Sequence, residues 1–298
     1  MHIAVSVDWE GAYLSADAMD ALEQFRAAHP GVPLTHMLNA AYYTKPRADA
    51  ADITRQVRLA LKPGDEAGLH VHAWRSLFAT AGVAPRTAPS FLSRTGTLLA
   101  FADDAGFEVE LGAFTVAELR AAIKKSREIL AAQKIELGSS FRAAGWLAAP
   151  NVLEAARAEG FTVDLSAVPP VWFDEVEVAF LRERLIARWG AIAPTAQPYW
   201  IDTPLGRILE LPNTGAMADY ATAAEIEEHV LGAVRALAAA PGRPVFVHVG
   251  FHMETADEFA PRLSEALSRL RARGAPITFE TVARSAELAR RTLDAKRD

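Results

Sequence analysis

Cysteine is absent from the 298-residue chain, which excludes disulfides, thiolate metal sites and cysteine nucleophiles. A basic surplus is missing too: 31 Lys and Arg stand against 37 Asp and Glu, for a net charge of −6. Apart from short runs such as Lys124-Lys125 and Arg290-Arg291 the cations are scattered, so nucleic acid is not an expected partner. No apolar run approaches the roughly 20 residues of a membrane-spanning helix. The opening Met1-His2-Ile3-Ala4-Val5-Ser6-Val7-Asp8 has neither the basic leader nor the apolar core of a signal peptide. A soluble, cytoplasmic protein without a membrane span is expected; a homo-oligomer stays open.

The composition that is present, 51% hydrophobic and 23% charged, is that of an ordinary globular protein. The length allows one large α/β barrel or two smaller domains. Short β-branched or aromatic runs alternate with Ala/Leu/Glu/Arg-rich segments of helical period, the pattern of an α/β fold with a parallel sheet. Strands are expected at residues 2–8, 33–38, 66–72, 138–142, 161–166, 207–212, 244–249 and 276–280. About seven or eight such units suggest a barrel. Thr115 before Glu118 and Thr222 before Glu225 have the capping-box spacing of helix starts. Residues 75–114 and 169–205 interrupt the alternation as long loop insertions of the kind that line or cover sites. With no internal repeat or linker, residues 1–298 read as a single domain.

Four strand ends carry the side chains capable of chemistry. Residues two apart on a strand share a face, so Asp8 pairs with Glu10, and His70 with His72. Both pairs fall at carboxyl ends, where α/β sheets and barrels build their sites. Two carboxylates and two imidazoles suit a hydrolytic metal centre. Arg142, at the end of another strand, requires a carboxylate partner or a substrate anion; Asp8, Glu10 and Asp164 are the candidates. His248 ends a late strand from which a general acid could reach a leaving group. His252 and Glu254 follow in a loop hinged at Gly250, as extra ligands, supporting partners or a helix cap. Trp172, Phe173, Trp189, Tyr199 and Trp200 could stack on sugar rings or simply fill the barrel mouth.

In order, these segments resemble the polysaccharide deacetylases with a NodB-homology domain, carbohydrate esterase family 4. Val5-Ser6-Val7-Asp8-Trp9-Glu10 is similar to the family's strand ending in Asp-Asp. Gly68-Leu69-His70-Val71-His72 matches part of its Gly-X-His-Thr-X-X-His segment. Phe141-Arg142-Ala143-Ala144-Gly145-Trp146 resembles Arg-X-Pro-X-Gly, and Val245-Phe246-Val247-His248 the final apolar strand ending in His. The likeness covers roughly residues 2–290. Trp9 stands where the family has a second metal-binding Asp, Trp74 where it has the second metal-binding His, and Ala144 where it has Pro. A site of the family's type must then be rebuilt from Asp8 or Glu10 and from His72.

The resemblance implies a distorted (β/α) barrel holding one divalent metal ion, with zinc as the expected identity. It implies removal of an N-acetyl group from an amino sugar or saccharide precursor. In this reading Asp8, His70 and His72 bind the metal, Glu10 is the general base and Arg142 orients it. His248 protonates the departing amine, and Trp74, Trp146, Trp172 and His252 contact substrate. An exchange of the Asp8 and Glu10 roles is also open, since the family would place the base at Asp8. Two alternatives remain: hydrolysis of a non-sugar amide or ureide, and a non-catalytic glycan-binding barrel that has lost its metal. An open aromatic groove in 169–205 would favour a glycan, a closed lid a small amide.

Overall fold

The structure, a computed structural model, describes residues 1–94, 100–101, 103–173, 179–238 and 244–295. Parts of both long insertions, 95–99 and 102 in the first and 174–178 in the second, lie outside the described residues. The chain runs β1 (His2–Asp8), α1 (Ala16–Ala28), β2 (Leu34–Leu38), α2 (Ala50–Ala60), β3 (Glu66–Val71), α3 (Arg75–Thr80), β4 (Ala100–Phe101) and β5 (Asp104–Ala105). It continues through α4 (Val116–Ala132), β6 (Ser140–Ala143), α5 (Pro150–Ala158), β7 (Val163–Asp164), α6 (Ala179–Trp189), β8 (Tyr199–Thr203) and β9 (Gly206–Glu210). It closes with α7 (Ala223–Ala238), β10 (Phe246–His252), α8 (Ala256–Ala272), β11 (Thr278–Glu280) and α9 (Val282–Asp294).

Local chemistry starts the helices where the sequence suggests. Ser15 accepts the Ala18 N–H at the head of α1, and Thr115 with Glu118 closes a capping box on α4. Thr222 and Glu225 make the same reciprocal bonds before α7. Pro150 enters α5 at its first turn, where its missing N–H has no intrahelical partner to lose. No helix among the described residues is long and apolar enough to cross a membrane.

The main sheet has the order β10-β1-β2-β3-β6-β7-β9-β8, with β11 also on β1. Every pairing in it is parallel except β8 with β9. That antiparallel hairpin falls at the end of what the sequence suggests is a long loop. The sheet curls into a distorted barrel. Beyond β9 the chain turns along β10, with Gly215 N–H donating to the His248 carbonyl and Ala218 N–H to that of Gly250. At one end Val282 and Ala286 of α9 share a buried apolar cluster with Ala4, Leu165, Leu209 and Phe246. This plug leaves the opposite, carboxyl ends of the strands for polar groups.

Candidate metal and active site

Along β1 the period of two sets Ala4 in the apolar plug, Ser6 above it and Asp8 at the rim, while Trp9 points the other way. The Trp9 indole is fully buried and donates to His36 Nδ1 at 3.1 Å. Asp8 is the register partner of His252 on β10 and of Met37 on β2, and His70 that of Arg142. Parallel pairing thus delivers one functional side chain from each of several strands to the same rim.

Glu10, just beyond β1, lies between the two histidines. Its Oε1 is 3.1 Å from His70 Nε2 and its Oε2 is 2.8 Å from His72 Nε2. The two Nε2 atoms are 2.9 Å apart. His70 Nδ1 lies 3.1 Å from the Arg142 carbonyl and His72 Nδ1 2.8 Å from that of Phe107. A carbonyl only accepts, so each Nδ1 carries the proton and, in the neutral ring, each Nε2 is a lone pair. Two lone pairs and a carboxylate then converge with no donor among them, an arrangement a cation satisfies. Backbone carbonyls fixing the far nitrogen are what metal-ligating imidazoles commonly have. Glu10, His70 and His72 therefore fit a divalent ion. Burial alone would raise the Glu10 pKa, but His72, His70 and His252 hold it well below the usual carboxylate range.

Asp8 is engaged differently. Arg142 Nη1 contacts both of its oxygens, Oδ2 at 2.5 Å, with both side chains buried. Arg142 also donates to Ser6 Oγ at 3.1 Å and to the Leu165 carbonyl at 3.0 Å. Burial pushes the Asp8 pKa up, yet Arg142, His70 and His252 outweigh it and keep it lowered. Facing Glu10 from the end of β10, His252 sets Nε2 3.6 Å from Glu10 Oε1 and Nδ1 3.0 Å from Asp219 Oδ1. Burial opposes its protonation, but Asp219, Glu10 and Asp8 raise its pKa to about 10.

These groups border a cavity of about 90 Å³, room for several waters where one needs roughly 10–15 Å³. Asp8, Glu10, His70, His72 and His252 line its floor; Phe91, Leu92, Phe107, Trp146, Leu181 and Tyr220 supply apolar walls. Both insertions contribute. Phe107 stacks on His72 with ring centroids 4.6 Å apart, and its segment is anchored by Asp104, which takes Lys45 Nζ at 3.0 Å and Ser76 Oγ at 2.6 Å. In α6, Leu181, Leu185 and Trp189 are buried, and the Trp189 indole donates to the Trp146 carbonyl at 2.6 Å. Leu181 of α6 therefore lines the cavity, while Trp189 packs behind Trp146.

No protein-family model and no curated protein matches the sequence. Solved structures do match at low identity. A putative polysaccharide deacetylase from Mycobacterium smegmatis aligns at 14% identity and TM-score 0.58, covering 98% of this chain and 90% of that one. Puue allantoinase aligns at 13% and 0.56, covering 97% and 89%. A probable polysaccharide deacetylase from Pseudomonas aeruginosa PAO1 gives 12% and 0.56, covering 97% and 91%. The chain has the polysaccharide deacetylase fold.

On this deacetylase fold several expected placements change. Glu10, not Asp8, sits between His70 and His72, while Asp8 is held by Arg142, a placement that suits the exchanged roles left open above. Asp8 does share a second possible cation group with Glu10 and His252. His248 is fully buried and does not line the cavity; the late-strand imidazole that does is His252. The supposed hinge at Gly250 is instead strand, and a Cβ there would meet the Ser6 carbonyl at 2.6 Å. Trp74 is also fully buried; it donates to the Glu10 carbonyl at 2.8 Å and does not reach the cavity. Trp172 stacks on His229 beside a separate recess with Thr222, Glu225 and Arg262. Trp146 alone of the three tryptophans lines the cavity. Asp219, Tyr220 and the Phe107 carbonyl escape sequence reasoning, since no motif or periodicity marks them.

Proposed function

We propose that the protein is a metal-dependent hydrolase of the C–N bond of a small amide or ureide. The observation that carries this reading is the convergence of two Nε2 lone pairs and the Glu10 carboxylate at the floor of a small cavity of about 90 Å³. Two imidazoles and a carboxylate suit zinc, which when bound would polarise the substrate carbonyl and acidify a water. Asp8, kept ionised by Arg142, is the base that takes the proton from the attacking water. His252, kept protonated by Asp219, donates to the departing nitrogen. Trp146, Tyr220, Phe91 and Phe107 exclude bulk water and orient the scissile group.

Removal of an N-acetyl group from a monomeric amino sugar is the second reading, favoured by the deacetylase fold; the small volume of the cavity argues against a polymer. The test is a product screen with zinc-loaded protein over amide, ureide and N-acetyl amino-sugar substrates, reading ammonia, carboxylate and acetate. Release from amides or ureides, lost on chelation and in Asp8→Asn, supports the first reading, and acetate from amino sugars alone supports the second. No zinc uptake and no product from any class would sink both and favour a non-catalytic glycan-binding barrel.

A further inference from the structure

The peptide of Glu10 is gripped from both sides. Its carbonyl accepts from Asn39 Nδ2 at 3.0 Å as well as from Trp74. Its N–H donates to Glu254 Oε2 at 3.0 Å, and the other oxygen of Glu254 takes the Ala12 N–H at 3.0 Å and the Tyr42 hydroxyl at 2.5 Å. Between the two N–H groups, Gly11 adopts φ +79°, and a Cβ there would meet Asn39 Cγ at 2.8 Å. This left-handed residue turns the chain so that residues 10 and 12 present their N–H groups to a single carboxylate. Glu254 is only 8% exposed; among the described residues no Lys or Arg forms a contact ion pair with it, and the Lys45 ammonium, which senses its charge, is bonded to Asp104 instead. Burying a carboxylate without a cation is costly unless hydrogen bonds replace water. Here the replacing donors are two peptide N–H groups flanking the turn and a phenol.

We propose that Glu254 is a positioning residue for the metal ligand Glu10. By fixing the backbone at residues 10–12, it sets the stem from which the Glu10 carboxylate reaches between His70 and His72, and a preorganised ligand loses less freedom on binding. The inference rests on the metal-hydrolase reading and concerns a residue that itself touches neither ion nor substrate.

The test measures zinc affinity by competition with a chromophoric chelator, and the visible spectrum of cobalt-loaded protein, for the parent, Glu254→Gln and Tyr42→Phe. Glu254→Gln should bind zinc about 10–100-fold more weakly and shift the cobalt spectrum, while circular dichroism and cooperative unfolding are retained. Tyr42→Phe should give a smaller loss in the same direction. Folded variants with parental zinc affinity and an unchanged spectrum overturn the inference but leave the metal reading intact. A parent that binds neither ion overturns the metal reading itself, and the positioning role falls with it. Should Glu254→Gln fail to fold, Tyr42→Phe decides, and unchanged affinity there counts against the proposal.

Discussion

Arg142 Nη2 donates to the Nε2 of His248 across 3.2 Å, with both side chains completely buried. A guanidinium has no acceptor, so this imidazole nitrogen is a lone pair. Burial, and then the charge of Arg142, push the His248 pKa down to about 3. The residue is a neutral acceptor behind the Asp8–Arg142 pair.

Replacing His248 with Leu should strand a buried guanidinium N–H and lower unfolding stability by ~1–3 kcal/mol, measured by denaturant titration. Turnover should fall with KM nearly unchanged, because Asp8 loses its fixed partner. His248→Gln, which keeps an acceptor, should recover part of both. A Gln variant of parental stability that nevertheless lost all turnover would restore His248 as a proton donor.

Glu10→Gln and Asp8→Asn separate ligand from base. The first should lose stoichiometric zinc by elemental analysis, as should His70→Ala and His72→Ala. Asp8→Asn should keep the ion and lose roughly 10²–10⁴-fold in kcat. Loss of zinc in Asp8→Asn with retention in Glu10→Gln would reverse the two roles.

The basic limb of the pH–rate profile should report His252. Asp219 is the first of the groups raising its pKa, so Asp219→Asn removes a stabilising anion and makes the imidazolium easier to deprotonate. The limb should move to lower pH. An unmoved limb in a folded, zinc-loaded variant would rule His252 out as the donor.

Acid stability should depend on Asp65, far from the cavity. Burial raises its pKa, but His36, Arg26 and the N–H groups of Leu34 and Lys62 reverse the effect and bring it well below the usual value. A depressed folded-state pKa contributes stability that is present above the unfolded value of about 3.9 and lost as pH falls through the folded one. Unfolding free energies of the parent and Asp65→Asn should differ most above about pH 5 and converge in acid. A difference constant with pH would mean that the ionisation of Asp65 is irrelevant.

The alternation of strands and helices, the caps at Thr115 and Thr222, and the shared faces of Asp8 with Glu10 and of His70 with His72 are legible because they follow local periodicity. Strand β9 falls within the strand expected at 207–212, but its partner β8 is not legible, since its aromatic residues and Pro204 read equally well as a covering loop. His252 is read as a substrate contact on a loop rather than as a strand residue because Gly250 looks like a strand breaker, whereas its missing side chain lets β1 approach. Which of Asp8 and Glu10 meets Arg142 depends on where that guanidinium points, and Asp219 reaches His252 only through a contact between distant segments. Spacing along the chain carries neither.

The carbonyl that fixes His72 belongs to Phe107, whose ring also lines the cavity. Orientation of the His72 imidazole and the apolar lining beside it are thus vested in one residue. On the metal-hydrolase reading, a ligand packed against Phe107 that steadies this carbonyl would also steady a cation donor, and by reciprocity the cation would favour that ligand by the same factor. That reading makes occupancy of the cavity and affinity for a cation thermodynamically linked.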